Sequence, residues 1–99
     1  MDEAVLIIED DSELQRLLQI DLQRHGFDVM TAGDGLEGLR LFQEKMPDLV
    51  VLDVALPQMN GLTVCERIRE ISNVPILMMT AHAVQEQDIA EGLNRGAER

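Results

Sequence analysis

The chain has 99 residues, 45% of them hydrophobic, enough for one domain with a single core but near the small end of the range at which chains fold unaided. Nineteen Asp and Glu against eight Lys and Arg give a formal net charge of -11, which argues against a binder of the nucleic-acid backbone and predicts no direct nucleic-acid binding by this domain. No stretch approaches the ~20 apolar residues of a bilayer span, the first apolar run is flanked by acids rather than by the basic segment of a signal peptide, and the single cysteine, Cys65, excludes an internal disulfide, so the expected setting is the reducing cytoplasm, away from membranes.

Short apolar runs alternate with longer stretches of helical period, the pattern of parallel strands joined by crossover helices. The first strand is predicted at Ala4 to Glu9, "AVLIIE". Asp11 or Ser12 then caps a helix running to about His25, with Leu14, Leu17, Leu18 and Leu22 as its buried side and Gly26 as its stop. The second strand is Phe27 to Thr31. Asp34, with Glu37 three residues on, reads as the cap of a second helix lined by Leu36, Leu39 and Phe42 and ended by Pro47.

The third strand is Asp48 to Asp53, and a third helix starts near Gly61 or Leu62 with Cys65, Ile68 and Ile71 on one face. Cys65 is thereby an inert buried thiol, and Arg67 and Arg69 are solvated charges. The fourth strand is Pro75 to Thr80, "PILMMT", with Met78 and Met79 in the core. A last helix runs from about Val84 to Arg95, burying Ile89 and Leu93 and stopping at Gly96.

Each strand starts apolar and ends in a polar group. Glu9 and Asp10 follow the first strand, Thr31 ends the second, Asp53 the third and Thr80 the fourth. Parallel strands bring these ends to one edge of the sheet, the carboxyl edge at which open parallel sheets bind ligands. Carboxylates crowded there repel by roughly 4 kcal/mol per close pair at an effective dielectric of about 20. A hard divalent cation with oxygen ligands would neutralise them, and Mg2+, with Mn2+ as its substitute, fits a site of one or two carboxylates and retained waters. No Cys or His stands at zinc-like spacing.

Through "VLIIEDD", "LVVLDVALPQMNG", "VPILMMTA" and "GLNRGA", in this order and at these separations, the whole chain resembles the receiver domains of two-component response regulators. The resemblance implies a flavodoxin-like, doubly wound parallel α/β sheet with strand order 2-1-3-4, as one receiver domain over residues 1–99. It implies that Asp53 accepts a phosphoryl group from the phosphohistidine of a sensor histidine kinase or from a small donor such as acetyl phosphate. Asp10, Asp53 and the backbone carbonyl of Ala55 would ligate Mg2+, with Glu9 acting through a water. Thr80 would contact the phosphoryl group through its hydroxyl and move toward it, switching an output domain or downstream protein that controls transcription. Such a domain is a phosphoacceptor and not a turnover enzyme.

The sequence departs from the family pattern in two ways. It stops at "GAER", where similar receivers continue into a fifth strand with a lysine and an aromatic switch residue and then a fifth helix, so the domain is expected to be incomplete at its C-terminus and to self-associate. At the two positions that tune loss of the phosphoryl group it has Ala55 and His82. Two other functions compete with this reading. A pseudo-receiver would act by surface contacts alone. A haloacid-dehalogenase-type phosphatase would want a second acid two residues after its nucleophile, where this chain has Ala55.

Overall fold

The computed structural model describes residues 3–56 and 58–79. Among these residues four parallel strands, β1 (Ala4–Ile8), β2 (Asp28–Ala32), β3 (Leu49–Asp53) and β4 (Ile76–Met79), alternate with three helices, α1 (Ser12–Arg24), α2 (Gly35–Lys45) and α3 (Gly61–Arg69). The sheet order is β2-β1-β3-β4 with every pair parallel, the architecture expected from the sequence. The expected fourth helix, at residues 84–95, and Thr80 lie outside the described residues.

The helix boundaries follow from local chemistry. Asp11 caps α1 by accepting from the backbone N–H groups of Glu13 (3.0 Å) and Leu14 (3.2 Å), and Gly26, at φ 91°, takes the left-handed turn that ends it. Asp34 caps α2 by accepting from the Glu37 N–H at 2.8 Å. The expected stop at Pro47 is shared with Met46, which itself turns left-handed at φ 46° and donates its N–H to the Phe42 carbonyl. Asn60 caps α3, its side chain accepting from the Leu62 N–H at 2.7 Å.

Strand alternation sends side chains to both faces of the sheet, and both faces are covered. Leu6, Ile8, Val50, Leu52 and Ile76 pack under α2 and α3 with Phe42, Val64, Cys65 and Ile68. Val5, Ile7 and Val51 pack on the other face with Leu18 and Leu22 of α1. Met78 joins the first cluster and Met79 the second, each partly buried, and Cys65 is buried as expected.

Three expected core positions are corrected. Leu17 is 65% exposed, Leu36 61% and Ile71 54%. Leu17 falls on the flank of the α1 stripe, roughly 60° from Leu14 on the side away from Leu18 and Leu22. Ile71 lies beyond the end of α3. In α2 the buried residues are Gly35, Gly38 and Phe42, with Leu39 and Leu41 partly buried against the same core, and Leu36 is carried to the outer side. A Cβ on Gly38 would come within 2.8 Å of Ile8 Cγ1, and one on Gly35 within 2.9 Å of Met59 Cβ and Val64 Cγ2. The helix therefore docks by close backbone approach at its glycines, with Phe42 and Leu39 packed in the core as expected. Arg69, read as solvated, is half-buried and donates to the Ser72 carbonyl at 3.2 Å.

Candidate metal centre

The register of the sheet assembles the site. Ile8 pairs with Leu52 across β1 and β3, so Glu9 and Asp53, one residue further on each strand, stand side by side at the carboxyl edge. Asp10 follows Glu9 in the turn into α1. One carboxylate oxygen from each of Glu9, Asp10 and Asp53 lies within 4.8 Å of the other two. Glu9 and Asp53 are buried, 1% and 2% exposed, while Asp10 faces solvent. Asp11, next in the chain, is taken up by the helix cap.

The backbone holds the two buried acids. Glu9 Oε2 accepts from the Asp11 N–H at 3.0 Å, and Asp53 Oδ1 accepts from the Ala55 N–H at 3.0 Å. Beyond Asp53 the chain is pinned from both sides, because Val54 donates to the Met79 carbonyl (2.8 Å) and accepts from the Gly61 N–H (3.0 Å). Gly61 is required at that spot: a Cβ there would collide with the Asp53 carbonyl oxygen and lie 2.7 Å from Val54 Cα.

Glu9 Oε1 is buried and has no hydrogen-bond partner among the described residues. Burial pushes the Glu9 carboxyl up to about 7; the hydrogen bond from the Asp11 N–H opposes the rise, and the neighbouring Asp53 and Asp10 reinforce it. A buried acceptor without a donor costs free energy unless a cation or a proton satisfies it. The donor set is all oxygen and of mixed burial, open to solvent on the Asp10 side. It therefore fits a hard divalent cation that keeps part of its water shell.

The structure thus brings together three of the residues singled out in the sequence, Glu9, Asp10 and Asp53, and sets Ala55 beside them through its N–H. Thr80 and His82 lie outside the described residues. Sequence reasoning missed Gln15. Its side-chain amide donates to the Glu9 carbonyl (2.9 Å) and to the Ala32 carbonyl at the end of β2 (3.2 Å). The signal was available, since Gln15 stands three and seven residues before Leu18 and Leu22, a polar residue on the apolar stripe of α1. Among the described residues no helix is long and apolar enough to cross a membrane.

Comparison with known proteins agrees with this geometry. The family model of the response regulator receiver domain matches residues 5–99. The chain is 42% identical to the alkaline phosphatase synthesis transcriptional regulatory protein PhoP of Bacillus subtilis, over 99% of this chain and 41% of that protein. It is 43% identical to the DNA-binding response regulator MtrA of Mycobacterium leprae, over 99% of this chain and 43% of that protein. It thus spans about two fifths of the length of these relatives.

Among solved structures, it superposes on the chemotaxis protein CheY4 of Vibrio cholerae with a TM-score of 0.90 at 31% identity, covering 98% of this chain and 82% of that one. The BeF3-activated N-terminal receiver domain of Klebsiella pneumoniae RstA gives 0.89 at 30% identity, covering 95% and 80%. With the flavodoxin-like sheet, the acidic edge and a family match over nearly its whole length, the chain belongs to the response regulator receiver domains of two-component signal transduction.

Proposed function

We propose that Asp53 is the phosphoacceptor of this receiver domain, taking a phosphoryl group from the phosphohistidine of a sensor histidine kinase or from acetyl phosphate. The observation that carries this reading is a buried carboxylate at the end of a central strand, Oδ1 held by the Ala55 N–H, with carboxylate oxygens of Glu9 and Asp10 within 4.8 Å. An Asp53 oxygen attacks phosphorus as the bond to the donor's nitrogen or oxygen breaks; the imidazole or acetate leaves, and an acyl phosphate remains. The chain's own part is to position. The Ala55 N–H fixes the rotation of the Asp53 carboxylate, and the sheet excludes water from its inner side.

Glu9, Asp10, Asp53 and the Ala55 carbonyl would hold Mg2+, or Mn2+ in its place. When bound, such an ion offsets charge on the phosphoryl oxygens. In the same reading the Thr80 hydroxyl senses the phosphoryl group, and Ala55 and His82 tune how long it stays. This is the regulatory part of a cytoplasmic transcription regulator, coupled to an output domain or downstream protein and making no direct contact with nucleic acid or membrane. Support comes from the names of the relatives, which are transcriptional regulators, and from the BeF3-activated state of a structural neighbour.

The test is incubation with acetyl phosphate and Mg2+ followed by intact mass measurement. One phosphate is expected on the wild type and none on Asp53→Asn. An unchanged wild-type mass would favour a module acting by surface contacts, and equal uptake by Asp53→Asn would remove Asp53 from its role.

A further inference from the structure

We infer that Gln15 is a positioning residue for cation binding at the acidic edge. This rests on reading Glu9, Asp10 and Asp53 as a divalent cation site, and it adds a residue that touches none of their carboxylates.

The Glu9 carbonyl belongs to the peptide that joins Glu9 to Asp10, so whatever holds that oxygen sets the plane of the link between the two acids. The Gln15 amide nitrogen holds it at 2.9 Å and reaches the Ala32 carbonyl at 3.2 Å. Ala32 O also accepts from the Glu9 N–H at 3.0 Å. One side-chain amide therefore ties together the carbonyl-bearing ends of β1 and β2, and both peptide groups of Glu9 are anchored to the same point. Gln15 is itself anchored, its backbone N–H donating to the Asp11 carbonyl at 2.9 Å in the first turn of α1.

Three crowded carboxylates tend to spread, and the turn Glu9-Asp10-Asp11 is the part of the site free to yield, because Asp53 is locked into β3 and the following loop. A lysine or arginine in this place would also pin the turn, but it would neutralise the field that draws a cation. A neutral amide fixes the peptide and leaves the negative charge intact. Groups that orient ligands in this way, without touching the ion, typically change metal affinity by about 10- to 100-fold when lost.

Two substitutions test the assignment. Gln15→Met keeps length and the apolar stem but removes the donor. Gln15→Asn keeps the amide and shortens its reach, and it decides the matter if the methionine variant does not fold. Mn2+ affinity is read from the electron paramagnetic resonance signal of the free ion, at a temperature where far-UV circular dichroism shows each protein folded, with metal-free melts in parallel. Affinity is expected to fall about tenfold in the substituted protein. A folded variant that binds Mn2+ within about twofold of wild type would overturn the positioning role, even with a lowered melting temperature, since that is the signature of a structural role alone. A wild type that binds no Mn2+ would instead overturn the reading of the acidic edge on which this inference rests.

Discussion

At Glu9 the chain buries a carboxyl group whose Oε1 meets no donor among the described residues, and burial raises its pKa from 4.5 to about 7. Between these two values the folded state binds more protons at this group than the unfolded chain does. The free energy of unfolding therefore falls as pH rises through the window: below it Glu9 costs nothing extra, and above about 7 its full penalty is present. The metal-free protein should melt several degrees lower at pH 8 than at pH 5.5 on account of this group, and Glu9→Gln should flatten that dependence while weakening cation binding. Melts of both proteins across the range check this; parallel profiles would show that Glu9 is not the titrating group. Glu9 and Asp53 were legible in the sequence because an ionisable residue ending an apolar strand has no packing reason to be there. Gln15 was legible only as a polar residue on an apolar stripe; its partners were not, because they are backbone carbonyls that a side-chain pattern does not display.

In α2, Phe42 and Leu39 pack as expected while Leu36 turns outward and glycines take the closest contacts, for a physical reason. Apolar periodicity follows large side chains, whereas a helix that approaches its neighbours closely presents its smallest residues there: Gly38 meets Ile8 of β1, and Gly35 meets Met59 and, on α3, Val64. Gly38→Ala should cost ~1–3 kcal/mol through overpacking against Ile8, and combining it with Ile8→Val should recover part of the loss; urea denaturation of the two single variants and the double variant measures the coupling. On the outer side, Leu36→Gln and Leu17→Gln should change stability by no more than about 0.5 kcal/mol, which the reading of these leucines as core would not allow. The caps, by contrast, were readable residue by residue. Asp11 and Asp34 perform the roles their spacing announced, and Asp34→Ala should cost about 1 kcal/mol in the same denaturation experiment.

At the scale of the fold, the two core clusters of the described residues sandwich the sheet and leave the acids along one edge, so occupation of the site and global stability are linked. A divalent cation that binds only the folded state should add ~1.4 kcal/mol at a tenfold excess over its Kd, and Asp10→Asn should lose most of that gain in melts with and without Mg2+. The α/β class was legible from periodicity alone. The order β2-β1-β3-β4 came only through family resemblance, because nothing local to a strand records which neighbour it pairs with. The buried state of Glu9 also makes cation uptake an exchange of particles. Near pH 6 the carboxyl is largely protonated, so a cation that needs it charged must expel a proton, and the buffer receives it. The heat of Mg2+ binding should then vary with the ionisation enthalpy of the buffer, with a slope that counts the protons expelled. That slope should approach one near pH 6, shrink toward zero well above pH 7, and vanish in Glu9→Gln.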